Sequence, residues 1–277
     1  MSRPTQTVAV PALGMDFDVL AGDTIIGPSI ANGTWEAGET ALFQAHLFPG
    51  ARVLDLGANV GWYACMAIRA GAEVHAFEPV PHIAEVTAHN IERANAVGPG
   101  RGTLFPFAAG AERGSANIAL SPDNFGDNRV VDADRAPKDM QQADLVTIQV
   151  ERVDDHVQGP YDLLKIDTQG SEWLALKGAE KALAASPKLA LYLEFWPYAL
   201  RGAEPADLLK LLFDAGFSLG KATEAPYPMT LERILAQALA RDPVKGGLDL
   251  YGTRGRPFHA LGLKPRLHGM WRNWREA

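Results

Sequence analysis

Between residues 52 and 78 a strand, a glycine-bearing turn, a helix and a second strand follow one another, and this run constrains the fold most. The strands are Arg52 to Leu56 (RVLDL) and Glu73 to Phe77 (EVHAF), both short and largely apolar. Gly61 to Ala70 lies between them and has apolar residues at helical spacing. A strand–helix–strand run of this kind predicts a crossover connection between two parallel strands.

The same alternation continues along the chain and predicts an α/β fold. The other predicted strands are Gly102 to Ala108, Leu145 to Val150, Tyr161 to Asp167, Leu189 to Phe195, Phe217 to Lys221 and Leu248 to Thr253. The other predicted helices are Glu39 to Phe48, His82 to Ala96, Glu172 to Ala185, Pro205 to Ala215 and Thr230 to Ala240. This pattern indicates a mostly parallel sheet with helices on both faces, and the last two strands are expected at an antiparallel edge.

Three segments are expected. Residues 1–50 form an irregular leader with short strands, residues 51–253 form the main domain, and residues 254–277 form a basic tail. The tail has six Lys or Arg residues against one acid, Glu276, and it carries Trp271 and Trp274. We expect the tail to pack on its own domain or on a second copy in a homodimer. The alternative is that the tail binds an anionic substrate.

The composition limits the cellular compartment and the classes of binding partner that we expect for this protein. The single cysteine, Cys65, excludes a disulfide within the chain and a C-x-x-C zinc site, so the reducing cytoplasm is expected. No apolar run approaches 18 residues and the N-terminus does not resemble a secretory signal, which argues against a membrane partner. The formal net charge of −7 makes nucleic acid an unfavourable partner.

The turn after the first strand has the composition of a binding site for a charged nucleoside. Gly57 and Gly61 let the backbone turn tightly near a ligand, and the following helix presents free N–H groups. Glu78 ends the next strand, where an acid accepts both hydroxyls of a ribose. Asp55 would repel a pyrophosphate but suits an ammonium group, so the pattern favours S-adenosylmethionine over a dinucleotide. An ordinary glycine-rich turn is the competing interpretation.

Two ordered motifs resemble one family of enzymes. Val53 to Pro79, with DLGANVG followed by FEP, resembles the first two motifs of the FkbM family of class I methyltransferases. Asp162 to Ala179 (DLLKIDTQGSEWLALKGA) is similar to that family's K-I-D-x-x-G-x-E motif, and Gly33 to Glu36 is a weaker echo. The resemblance implies a Rossmann-like, seven-stranded, mostly parallel sheet and S-adenosylmethionine as the cofactor.

The resemblance also assigns cofactor residues by position. It implies that Asp55, Gly57, Asn59 and Gly61 line the methionine part of the cofactor and that Glu78 holds the ribose. The loop at Phe107 to Ala109 would lie near the adenine, with Ala109 in contact. Asn128, in the polar loop from Ser121 to Arg129, is expected to bind substrate, although a plain surface loop is the alternative.

Charged residues at two later strand ends are the candidates for chemistry. Asp167 ends a predicted strand at the sheet's carboxyl edge, and Lys165 lies two residues earlier on the same side. Glu194 lies near the end of an apolar strand, where an unpaired carboxylate is costly unless it is functional. We expect Asp167, Glu194 and Lys165 to be catalytic and Glu172 to contact substrate, with capping and salt bridging as alternatives.

A metal site and a histidine base are also compatible with the sequence. Asp167, Glu172 and Glu194 together could hold a divalent metal ion, although the sequence does not require one. His156 could act as a general base, but a solvent-facing histidine is the more common situation.

Three functions are compatible with the sequence. The first is an O-methyltransferase acting on a hydroxyl of a small molecule, a sugar or a secondary metabolite. The second is a methyltransferase of RNA or protein, although Asp167 to Gly170 (DTQG) lacks the aromatic residue and prolines of an N-P-P-Y-like tetrapeptide. The third is a non-catalytic domain that binds the cofactor. The acceptor pocket is expected from segments before residue 50 and after residue 225.

Overall fold

The computed structural model describes residues 4–33, 35–131, 144–244 and 246–258. The described strands are β1 Thr5–Val10, β2 Met15–Leu20, β3 Arg52–Leu56, β4 Glu73–Phe77, β5 Arg101–Phe105, β6 Ala108–Ala109, β7 Gly114–Ala119, β8 Arg129–Val131, β9 Leu145–Glu151, β10 Leu163–Ile166, β11 Leu189–Phe195, β12 Ser218–Lys221 and β13 Leu248–Arg254. The described helices are α1 Ile26–Ala31, α2 Ala37–Gln44, α3 Trp62–Arg69, α4 Pro81–Val97, α5 Glu172–Gly178, α6 Glu180–Ala184, α7 Pro205–Asp214 and α8 Leu231–Leu239. Val153–Asp155 is one turn of 3-10 helix.

Seven strands form the central sheet in the order β12-β13-β11-β10-β3-β4-β5. Helices from consecutive crossovers cover both faces, so the predicted α/β class and the predicted seven-stranded, mostly parallel sheet are confirmed. The central strands are buried because their apolar side chains face helices on either side, and β10 (LLKI) is buried at every position. Two apolar clusters form the core, one on each face of the sheet.

The antiparallel edge differs from the expectation in one respect. Only β13 runs against the other strands, and it is inserted between β11 and β12, pairing antiparallel with both. The edge strand β12 is therefore parallel to β11. The β12-to-β13 connection passes through α8, whose first turn is capped by Thr230.

Some predicted elements end early because of local backbone contacts. The strand expected to reach Ala108 ends at Phe105, and Ala108–Ala109 pairs instead with β9 in a second sheet of order β6-β9-β7-β8. The helix expected over Glu172 to Ala185 is interrupted at Ala179, whose backbone is not helical. A side chain at Gly178 would meet the Gly110 carbonyl at 2.1 Å, so the chain approaches that loop closely where the helix breaks.

The N-terminal segment packs on the main sheet rather than standing apart. The β1–β2 hairpin lies against α4, and the buried Asn90 amide joins them, since Asn90 Oδ1 accepts from the Asp18 N–H at 2.7 Å and Asn90 Nδ2 donates to the Asp18 carbonyl at 2.9 Å. At the other end, Arg254 donates to the Leu183 and Ser186 carbonyls, and Arg256 pairs with Asp162. Most of the predicted basic tail, including Trp271 and Trp274, lies outside the described residues.

Candidate active site

A cavity of about 610 Å³ opens at the carboxyl ends of the central parallel strands. The turns after β3, β4 and β10 form its floor, while the segment at the start of α2 and the loop after β7 form walls. Open α/β sheets bind ligands at this edge, because neighbouring connections diverge there and leave a crevice.

Gly57 sets the shape of the turn after β3. Its φ of +86° lies in the left-handed region, and a side chain there would approach the Asp167 carbonyl oxygen to 1.8 Å. The Asp167 N–H in turn donates to the Leu56 carbonyl at 2.9 Å. The glycine therefore lets the tips of β3 and β10 meet without a side chain between them.

Glu78, at the tip of β4, and Asn59, in the turn after β3, connect these two strand ends. The Glu78 carboxylate accepts the backbone N–H groups of Asn59 at 3.0 Å and Val80 at 2.9 Å, and burial raises its pKa to about 7. Asn59 has a left-handed backbone with φ of 49°, and its side-chain Nδ2 donates to the Phe125 carbonyl at 3.1 Å. Both side chains line the cavity, in agreement with their predicted positions.

Asp55 and Gly61 lie behind the cavity wall rather than in its lining. Neither carboxylate oxygen of the fully buried Asp55 has a hydrogen-bond partner among the described residues. Burial raises the pKa of Asp55 to about 6, although the positive charge of Lys165 acts in the opposite direction. The contact of Asp55 and Gly61 with a cofactor stays a prediction. The Asp55 carboxylate is a buried polar group without a hydrogen-bond partner among the described residues, next to the cavity.

The loop from Phe107 to Ala109 and the loop from Ser121 to Arg129 both contribute residues to the cavity lining. Ala109 lies in the lining and is buried. Asn128 also lines the cavity, but its amide holds the loop together, accepting from the Ser121 N–H at 2.9 Å and donating to the Phe125 carbonyl at 2.7 Å. The Phe125 N–H donates to Asp23 Oδ2 at 3.0 Å, so this loop is fastened to the N-terminal segment.

Asp167, Lys165 and Glu194 meet at the centre of the cavity with a fourth residue, Gln169. Lys165 Nζ lies 3.2 Å from Asp167 Oδ2. Gln169 Nε2 donates to Asp167 Oδ1 at 2.8 Å and to Glu194 Oε2 at 2.7 Å, so one amide bridges the two carboxyl groups. Burial and the nearby Asp167 charge raise the pKa of Glu194 well above its usual range. Burial lowers the pKa of Lys165, but the charges of Asp167 and Asp55 outweigh it and raise that pKa overall.

Glu172 has a different position from the one expected of a substrate ligand. Its side chain is 1% exposed and does not line the cavity. Glu172 Oε1 accepts from the Thr168 N–H at 3.2 Å and the Gly170 N–H at 2.9 Å, and from the Thr168 hydroxyl at 3.0 Å. These contacts fix the turn that presents Asp167, and they do not cap the helix that Glu172 begins.

The possible metal site and the possible histidine base have no support at the cavity. Within the described ranges, no group of three or more His, Cys, Asp or Glu side chains is arranged to hold a metal ion. His156 stacks on Phe107 with ring centroids 5.2 Å apart, lies 3.6 Å from Glu151, and does not line the cavity.

Several lining residues were not among the predicted site residues. Gln169 lies inside the motif already singled out, and Glu36 lies in the weak echo at Gly33 to Glu36. Glu39, Tyr192 and Asp249 also line the cavity, and no local pattern marks them. Glu36 accepts the Tyr63 hydroxyl at 2.5 Å, and burial raises the pKa values of Glu36 to about 7 and of Glu39 to about 9.

These residues fit a nucleoside that carries an amino acid. Gly57 leaves backbone exposed for close approach, Glu78 offers acceptor lone pairs beside the turn, and the buried Asp55 carboxylate supplies negative charge behind it. The fold and this arrangement define the class I, S-adenosylmethionine-dependent methyltransferases.

Comparison with known proteins agrees with this class. Residues 55–219 match the Methyltransferase FkbM domain, and the chain belongs to this methyltransferase family. The matched span contains both motifs that suggested the family, so the predicted family is confirmed. A search of curated protein sequences gave no significant match.

Among solved structures, the chain is similar to the methyltransferase FkbM from Methylobacillus flagellatus KT, with 19% identity and a TM-score of 0.45 over 73% of this chain and 43% of that one. The chain thus spans less than half the length of that protein. It is also similar to magnesium protoporphyrin IX methyltransferase from Synechocystis PCC 6803 with bound S-adenosylmethionine (16% identity, TM-score 0.46, 84% and 85% covered). An O-methyltransferase from Bacillus cereus matches with 13% identity, a TM-score of 0.43 and coverage of 80% and 81%.

No helix in the described part of the chain combines the length and the apolar character needed to cross a membrane.

Proposed function

We propose that this protein transfers a methyl group from S-adenosylmethionine to a hydroxyl of a small molecule, such as a sugar or a secondary metabolite. One observation carries the proposal: a nucleoside-compatible turn with Glu78 and a carboxyl pair at Asp167 and Glu194 border one cavity. A hydroxyl acceptor needs a group that takes its proton, and the carboxyl groups of Asp167 and Glu194 line the same cavity as the turn.

The residues divide into two sets by position. Glu78, Asn59, Gly57 and Ala109 would hold the cofactor, which supplies an activated methyl group on a sulfonium. Asp167 would accept the hydroxyl proton as the new carbon–oxygen bond forms. This division is supported by the order of the strand ends, because Glu78 follows β4, Gly57 follows β3, and Asp167 follows the next strand of the sheet, β10.

Lys165 and Gln169 hold Asp167 in a position for that task. The Lys165 ammonium lies 3.2 Å from one Asp167 oxygen, and the Gln169 amide donates to the other oxygen at 2.8 Å. Glu194 shares the same amide, so its protonation state acts directly on Asp167. Alignment of this kind is worth about 7–11 kcal/mol of barrier in favourable cases.

A nucleic-acid acceptor is less well supported. Among the described residues, seven carboxyl side chains line the cavity, from Glu36, Glu39, Glu78, Asp127, Asp167, Glu194 and Asp249. An acidic cavity in a chain with net charge −7 opposes a polyphosphate backbone.

The test is a methyl-transfer assay with isotopically labelled S-adenosylmethionine and three acceptor pools: hydroxylated small molecules, RNA and protein. Label in an ether of a small molecule is the expected outcome. Label only in RNA or protein would contradict the proposed acceptor, and S-adenosylhomocysteine that fails to bind at all would contradict the whole proposal.

A further inference from the structure

The acceptor side of the cavity carries more carboxyl groups than proton removal needs. Asp167, Glu194 and Asp249 lie in one row across the ends of β10, β11 and β13, and Glu36 and Glu39 face that row from the start of α2. The charges of Glu36 and Asp249 both act on Glu39. Carboxyl groups therefore approach one space from both walls.

Two of these acids are placed in an intrinsically unfavourable register. Glu194 and Asp249 are directly opposite each other in the antiparallel pairing of β11 with β13. Like charges in that arrangement destabilise a sheet. Burial raises the pKa of both groups, and the charge of Asp167 raises them further. The positive charges of Arg241 and Lys165 act in the opposite direction on Asp249, but burial and Asp167 raise its pKa overall.

An independent feature at the same wall also lacks a partner. Tyr192 lines the cavity and is 6% exposed, yet its hydroxyl meets no hydrogen-bond partner among the described residues. The charge of Glu39 acts on this hydroxyl. A buried hydroxyl without a partner costs free energy, so the site is incomplete until a polar ligand lies beside it.

The aromatic residue next to this cluster suits the same kind of ligand. Trp35 precedes Glu36 in the chain and lines the cavity while half-buried. Aromatic faces attract organic cations, and carboxylates give ammonium groups short, charge-assisted hydrogen bonds.

We propose that the methyl acceptor is a hydroxylated amine, whose ammonium group lies between Glu39 and Asp249 beside the Tyr192 hydroxyl while its reactive hydroxyl faces Asp167. This inference rests on the proposed function, since it names the substrate class of that same site. An ammonium there would stabilise the charged forms of Glu194 and Asp249 and would bring a donor to Tyr192.

The experiment uses three probes that differ in one group. The full-length protein, saturated with S-adenosylhomocysteine, is titrated calorimetrically at pH 7.5 with trans-2-aminocyclohexanol, its N-acetyl derivative and trans-1,2-cyclohexanediol. The amine is expected to bind about tenfold or more tightly than either neutral probe, as a charge-assisted pair predicts.

Substitutions of the two acids test whether they cause the preference for the amine. Glu39→Gln and Asp249→Asn should each remove most of the preference for the amine, while S-adenosylhomocysteine affinity shows that the fold is retained. Glu232→Gln, an acid on the exposed start of α8, is the matched control and should leave the preference unchanged.

Three results would overturn the inference. The amine binds no more tightly than the neutral probes, or both variants keep the preference, or magnesium or calcium ions alone bind to the acids in place of the amine. If S-adenosylhomocysteine still binds in any of these cases, the proposed function is not contradicted. A protein that binds no S-adenosylhomocysteine would contradict the proposed function itself.

Discussion

At the scale of single residues, the site depends on carboxylates held in unlike surroundings. Glu78 accepts two backbone N–H groups and stays available to a ligand in the cavity. Asp167 pairs with a lysine and an amide, and Glu194 is buried with a raised pKa. The carboxyl groups of Glu78, Asp167 and Glu194 therefore lie in three different electrostatic environments within one cavity. Each environment predicts a different response to substitution.

Glu78→Gln should weaken S-adenosylhomocysteine binding by roughly 1.5–3 kcal/mol, because a charged acceptor beside the ribose is replaced by a neutral one. Calorimetric titration measures this change. Glu73→Gln, at the exposed start of β4, is the matched control and should bind normally. Unchanged affinity in Glu78→Gln would remove this residue from the ribose.

Asp167→Asn should reduce turnover roughly 100- to 10,000-fold, the range that one proton-transfer group supplies. Cofactor affinity should change little, because the substitution keeps the size of the side chain and leaves the contacts of Glu78 with the turn in place. Single-turnover kinetics with a labelled methyl group separates the two effects. A fully active variant would exclude Asp167 as the proton acceptor.

At the scale of elements, the strand–turn–helix units could be predicted and the wall that faces them could not. The bounds of β3 and β4 follow from short, largely apolar runs closed by Gly57 and Glu78, and those of β11 follow from the apolar run that ends at Phe195. Their carboxyl ends carry Gly57, Glu78 and Glu194, which were predicted in the same step. By contrast, Glu39 and Asp249 come from segments far apart in the sequence, and the folded chain brings them close enough for the charge of Asp249 to act on Glu39.

Gly57→Ala tests the turn itself. A left-handed backbone costs a non-glycine residue roughly 1–3 kcal/mol, and the new Cβ would also press on the Asp167 carbonyl, so the free energy of unfolding should fall by at least that amount. Urea denaturation gives the value. Gly38→Ala in α2, where no atom lies within 4 Å of the new Cβ, should instead leave stability equal or slightly higher.

At the scale of the whole molecule, buried acids make stability depend on pH. The folded pKa values of Glu36 and Glu78 are about 7 and that of Glu39 about 9, all above the usual 4.5. A raised carboxyl pKa means that the folded state binds more protons than the unfolded state. Its stabilising effect is full below the unfolded pKa and is lost as pH rises through the folded pKa.

The ligand-free protein should therefore become less stable between about pH 5 and pH 9, by about 1.4 kcal/mol per pH unit for each full proton of difference. Chemical denaturation across this range measures the slope. Glu39→Gln should flatten it, most clearly from pH 7 to 9. A free energy of unfolding that rises with pH over this interval would contradict the burial of these acids.

The most direct measurement is a crystal structure of the protein with S-adenosylhomocysteine. We expect the nucleoside in the turn between Gly57 and Gly61, both ribose hydroxyls within hydrogen-bond distance of Glu78, and the sulfur facing Asp167. Density for the nucleoside elsewhere in the molecule, or a ribose that does not touch Glu78, would contradict the account.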